Sequence, residues 1–131
     1  MLAAAAHGLT EASLTSSAAD RFASAHRAAL RAAAAVVAVR TSPDGRRRPP
    51  RSVWALLPAV APELTEWAAY FAAGAGKRAA AEAGLTRAVS DREADDLVRD
   101  AETFLTLIHT TLGVPDQPTL PRSGRLIPCA G

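Results

Sequence analysis

The residues able to move protons or hold ligands are few: three histidines, one cysteine and fourteen arginines beside a single lysine, Lys77. Proton transfer near neutral pH asks first for an imidazole, so the histidines come first. His26 lines up one helical turn from Phe22 and from Leu30, which predicts a partly buried polar contact inside a helical bundle. His7 and His109, the latter beside Glu102 and Thr106, read as solvated surface residues. The three histidines are far apart and lack ligand spacing, so no metal centre is expected. Cys129 has no second cysteine to pair with and sits among Pro128, Ala130 and Gly131, where no base is held beside it as a nucleophile requires. The arginines offer more. Arg46, Arg47, Arg48 and Arg51 fall within one short stretch, a candidate contact for the phosphates of RNA, DNA or a nucleotide, with a solubilising loop as the alternative. No aromatic residue interleaves them, so base stacking is not offered there and binding would be electrostatic. The acidic run from Asp91 to Asp100 is interrupted by Arg92 and Arg99 at salt-bridge spacing and reads as a solvated helix face.

These groups must be positioned by a chain of 131 residues and 13.6 kDa, the size of one domain. Alanine supplies roughly a quarter of the residues and aromatics only 5%, a bias toward closely packed helices over sheets. The fold class expected is all-α. The net charge is +2, and Arg-for-Lys usage together with abundant alanine is what a GC-rich genome produces, so clustering of charge carries more information than its sum. A lone cysteine suits a reducing cytoplasm. No run of 18 or more strongly apolar residues appears, so no membrane span is expected.

Residues 2–16 place Leu2, Ala5, Leu9, Ala12 and Leu14 near one face of a weakly amphipathic helix. Ser17 with Asp20 is a capping signal, and residues 18–40 hold neither Gly nor Pro, which predicts one helix of about six turns. Along it Phe22, Leu30, Ala33 and Val37 form the predicted inner stripe, and Asp20, Ser24, Arg27 and Arg31 the polar one. Residues 41–51 carry three prolines and four arginines and read as an exposed loop. Ser52 caps a short helix from Val53 to Val60, and Pro62 opens another through Leu64, Trp67, Phe71 and Ala75. Trp54, Trp67 and Phe71 are the expected anchors. Gly74 and Gly76 predict a kink or an end before a resumption over Lys77 to Ala83. Ser90 and Glu93 form a capping box for a final helix that Gly113 and Pro115 stop, with Ala94, Leu97, Val98, Ala101, Phe104, Leu105, Ile108 and Leu112 as its inner stripe.

Three segments in this order resemble the HEPN domain family: RFASAHRAALRAAAAVVAVR, RSVWALLPAVAPELTEWAAYFAAGAGKRAAAEAG and VSDREADDLVRDAETFLTLI. The likeness covers roughly residues 2–112 and is greatest to an actinobacterial branch. It implies a bundle of about five helices, which sets the expected domain at 1–113 and leaves 114–131 as a Pro-rich, loosely ordered tail.

Many members of that family are metal-independent ribonucleases that use an arginine followed, four to six residues later, by a histidine near the end of the long helix before the last one. At that place this chain has Lys77, Arg78 and Arg87 but no histidine. The spacing recurs only at Arg21 and His26, and five steps along a continuous helix turn one side chain roughly 140° from the other, too far to share a phosphate. The expectation is therefore a non-catalytic binding or accessory module engaging RNA or a nucleotide through Arg46, Arg47, Arg48 and Arg51, with no cofactor. The alternatives are a toxin-like ribonuclease working through Arg21 and His26, and a protein-interaction adaptor. The resemblance further implies a homodimer built around Arg27, Arg31, Tyr70 and Phe71, with a monomer whose alanine faces pack tightly as the alternative, and a nucleotidyltransferase encoded beside this chain would point to a toxin and antitoxin pair.

Overall fold

Alanine, with one methyl group, lets helix backbones approach closely, and the architecture is organised around the helix richest in it. The computed structural model describes residues 2–14, 17–41 and 52–113. Six α-helical segments follow one another: α1 (Leu2–Leu14), α2 (Ala18–Arg40), α3 (Val53–Val60), α4 (Thr65–Ala73), α5 (Ala75–Glu82) and α6 (Asp91–Leu112). Two single 3-10 turns, Pro62–Leu64 and Thr86–Ala88, lead into α4 and α6 respectively. No strand occurs among the described residues, so the fold is all-α, as the composition requires. The bent α4–α5 rod, counted as one element, gives the five helices expected.

Helix α2 is the axis of the bundle and touches α1, α3, α5 and α6. Ala25, Ala28, Ala29, Ala32 and Ala33 are fully buried along it, in one core cluster with Ala5 of α1 and Ala94 and Ala101 of α6. Leu30 and Val37, predicted to point inward, are only half-buried. The correction has a steric cause: at a close helix crossing the methyls fit the interface and the larger side chains are displaced to its margin. By length and mean hydropathy, 1.2 over its most apolar 18 residues, α2 also passes for a membrane span, which the sequence reading did not anticipate. Within the bundle 56% of that window is buried against the other helices.

The predicted caps are present. The Ser17 hydroxyl accepts from the Asp20 N–H at 3.3 Å, that of Ser52 from Trp54 N–H at 3.0 Å, and Ser90 and Glu93 close a reciprocal capping box. Helix α6 ends at Gly113, whose φ of 73° is the left-handed conformation that favours glycine. The inner stripe of α6 is buried from Ala94 to Ile108 as its spacing predicts, with Leu112 partly buried at its end. Gly74 marks the bend: its N–H reaches Phe71 O at 3.0 Å, a three-residue step, and α5 resumes at once from Ala75 rather than from Lys77. The proposed tail, 114–131, lies outside the described residues.

Candidate functional site

The Arg21 and His26 pair comes first, because both sit on unbroken α2. Arg21 reaches across to the start of α6, with Nη2 on Asp91 Oδ1 at 3.1 Å and Nε 3.2 Å from Asp95 Oδ1. His26 goes elsewhere, into the core, where it is 0% exposed. Its Nε2 lies 2.7 Å from the carbonyl oxygen of Phe71. A carbonyl only accepts, so Nε2 carries the proton and donates it, which fixes the tautomer. Nδ1 has no hydrogen-bond partner. The ring stacks on Phe22 at 6.3 Å and meets Trp54 and Phe71 edge-on at 5.9 and 6.0 Å. Burial among these rings, more than any nearby charge, pushes the imidazole below its ordinary value of 6.5 and holds it neutral. Gly74 presses from the far side, where a Cβ would stand 3.4 Å from His26 Cδ2. His26 is thus a staple from α2 to the bend after α4, with no open path to a substrate.

Arginines gather instead along the seam of α2 and α5. Arg27 Nη2 donates to Glu82 Oε2 at 2.5 Å, and Arg78 acts on the same carboxylate from one turn earlier in α5. The Arg27 hydrogen bond is the chief cause that holds Glu82 below the usual carboxylate range. Arg31 lies one turn beyond Arg27, its guanidinium over Gly8 of α1. Two guanidinium groups, those of Arg27 and Arg78, against one carboxylate leave this seam positive. Lys77 is committed differently, to Glu93 of α6, and Arg87 is exposed on the 3-10 turn before α6.

Of the residues assigned to a subunit interface, Arg27, Arg31 and Tyr70 reach the surface, whereas Phe71 is 0% exposed. Its ring fills the space between Trp54, Trp67 and Phe104, as expected of a core anchor, so the interface role that the resemblance implied for Phe71 has no exposed surface to act through. Tyr70 donates its hydroxyl proton to Asp100 Oδ2 and stands between two hollows. One, of about 340 Å³, is lined by Glu66, Trp67, Tyr70 and Asp100. The other, of about 330 Å³, opens toward Gly74, Lys77 and Glu93. Burial and the Asp100 contact raise the phenol well above its usual value, so it stays protonated.

A comparison with known families finds the model described as SAV_6107-like HEPN over residues 12–109. The chain belongs to the HEPN family. No curated protein and no solved structure matches it in the corresponding searches.

Set on this HEPN bundle, the sequence-derived sites divide clearly. Arg21 and His26 are parted by the turn of one helix, as predicted, and His26 is more deeply buried than its spacing suggested. Arg46, Arg47, Arg48 and Arg51 lie outside the described residues. No group of three or more His, Cys, Asp or Glu suited to a metal occurs among those described. Two features escaped the sequence reading: the Arg27, Arg78 and Glu82 group, and the corner of Trp67, Tyr70 and Asp100. Each joins residues far apart in the chain. The one local signal was Glu66 and Tyr70 at a spacing of four with Trp67 between, which places two aromatics and a carboxylate on neighbouring faces of one helix.

Proposed function

We propose that this HEPN protein is a non-catalytic binding module that engages the phosphates of RNA or of a nucleotide through arginine side chains. The observation that carries the reading is the state of His26. An imidazole with no exposed surface, its one N–H given to a backbone carbonyl and its charged form disfavoured by burial, lacks the access to a substrate that a general acid or base needs. That weighs against the ribonuclease alternative. Support for anion binding comes from the α2–α5 seam, with Arg27 and Arg78, and from the sequence run Arg46, Arg47, Arg48 and Arg51. Guanidinium groups suit phosphate because their planar forks donate two parallel hydrogen bonds.

Incubation with single-stranded and structured RNA should leave the RNA intact; sustained cleavage that disappears in His26→Ala would overturn the reading. Filter binding across a salt series should show a log-log slope of about −3 if four arginines contact phosphates of a single strand, at roughly 0.7 counterions per contact. Replacing Arg46, Arg47, Arg48 and Arg51 together by Ser should abolish that slope. Unchanged affinity would move the contact to the α2–α5 seam, which Arg27→Ser with Arg78→Ser then tests.

A further inference from the structure

Away from the basic seam, on the opposite charge, α4 and α6 form a corner with different chemistry. Glu66, Trp67 and Tyr70 come from little more than one turn of α4, and Asp100 faces them from α6. The Trp67 and Tyr70 rings stand at 90° with centroids 6.4 Å apart, so they form two walls of one hollow of about 340 Å³. That volume is at the lower end for sites that take a ligand. Both walls are held in place. Trp67 lies on Phe71 at 6.0 Å and a 20° interplanar angle and against Phe104 at 5.4 Å, two rings with no exposure. Tyr70 is tethered by its hydroxyl to Asp100, although 43% of its surface is open.

The carboxylates of the corner differ from their neighbours. Glu63, Glu82, Glu93, Asp91, Asp95 and Asp96 each make a salt bridge to an arginine or lysine of this chain. Glu66 and Asp100 make none to any described residue, and the hydrogen bond that Asp100 accepts comes from a neutral phenol. Two aromatic walls, whose faces carry the negative part of the ring quadrupole, and two carboxylates without a salt bridge among the described residues, Asp100 feeling only the neighbouring Arg99 through space, together form a receptor for positive charge. The cation must also be flat and rich in donors. A guanidinium stacks on a ring while its N–H groups reach carboxylate oxygens; an ammonium is a compact, strongly hydrated charge that does neither well.

We propose that the Glu66, Trp67, Tyr70 and Asp100 corner binds an arginine side chain presented by a partner polypeptide. The rings supply stacking surface, Asp100 and Glu66 accept the guanidinium N–H groups, and the Tyr70 hydroxyl fixes the Asp100 carboxylate in the orientation that does so. This site is independent of the phosphate-binding reading, since none of its residues lies on the α2–α5 seam.

The test is a titration of the full-length ¹⁵N-labelled protein with the capped tripeptides Gly-Arg-Gly, Gly-Lys-Gly and Gly-citrulline-Gly, read at the indole N–H signals. The chain has two tryptophans, and Trp54 in the core serves as the internal reference. The arginine peptide should shift the Trp67 indole progressively and leave Trp54 still; lysine should bind about tenfold more weakly, and citrulline, isosteric but uncharged, should not bind. Glu66→Gln and Asp100→Asn should each weaken the arginine peptide at least threefold. Glu66→Gln touches no core contact, so it reports on the site even where Asp100→Asn disturbs Tyr70. Absence of a Trp67 shift, an equal response to citrulline, an equal shift of Trp54, or full binding by the Glu66→Gln, Asp100→Asn double variant would each overturn the proposal.

Discussion

The bundle is held by two regions built on opposite principles, and both run along α2. Toward α1 and α6 the contact is an alanine seam, in which Ala25, Ala28, Ala29, Ala32 and Ala33 sit flush against neighbouring helices. Toward α3 and α4 it is an aromatic node, in which Phe22, Trp54 and Phe71 surround the His26 ring and Phe104 packs on Trp54 and Phe71 behind it. The seam gains by backbone proximity with little buried volume per residue; the node gains by the large apolar area of each ring. The difference teaches that the two should fail in opposite directions. One is intolerant of added atoms, the other of removed ones.

The largest effect is expected in the node. Phe71→Ala removes a ring that touches four other aromatics and the His26 imidazole and leaves a cavity, at a loss of about 3 to 5 kcal/mol in denaturant unfolding. A loss under 1 kcal/mol would show that the node collapses freely around the gap. Next comes the seam, where Ala29→Leu forces a larger side chain into a closed crossing and should cost about 1 to 3 kcal/mol by the same measurement. If Ala29→Leu stabilised the protein instead, the seam would be loosely packed and the comparison would fail.

Acid titration separates the regions again. The folded-state value of His26 lies below its ordinary 6.5, so the unfolded chain binds more protons in that window. Stability contributed by keeping this ring neutral is complete above about pH 6.5 and falls as the pH drops below it. Glu63, Glu82 and Glu93, each depressed below the ordinary 4.5, work in a lower window: their contribution holds above about pH 4.5 and is lost as they protonate below it. Unfolding midpoints measured from pH 8 to 5 should therefore decline in the native protein and decline less in His26→Phe. Parallel curves would remove His26 as the cause. The smallest effect belongs outside both regions, at the half-exposed pair of Arg27 and Glu82. Glu82→Gln should change stability by less than about 1 kcal/mol, because solvent screens the attraction.

Whatever depends on neighbours in the chain was readable from the sequence. The three serine caps, the unbroken length of α2, the bend at Gly74 and the inner stripe of α6 follow from local hydrogen bonding and helical period. On α2 the period gave the right face but the wrong emphasis. Leu30 and Val37 are large apolar residues on that face, and only the packing of α1 and α6 on α2 shows that the neighbouring alanines and Val36 are the ones enclosed. Phe71 and Tyr70 are adjacent in sequence, one enclosed and the other open; helical spacing put Phe71 with Leu64 and Trp67 among the anchors, and it was the resemblance that grouped it with Tyr70 at an interface.

The candidate sites were decided almost wholly by tertiary structure. The acidic run of α6 looked like a solvated face, and its local pairs are there, Asp96 with Arg92 and Arg99. Yet Asp91 and Asp95 receive Arg21 from α2, Glu93 receives Lys77 from α5, and Asp100 receives Tyr70 from α4. Sequence spacing reaches only one turn along a single helix, whereas these partners are 16 to 70 residues apart. By itself the sequence determined that the chain is an all-α HEPN bundle, where most of its helices start and stop, and that Arg21 and His26 do not converge. Only the packing of α2, α4 and α6 decided that His26 is sealed as a neutral staple and that Trp67, Tyr70 and Asp100 meet at one corner, because burial and convergence are properties of helices brought together.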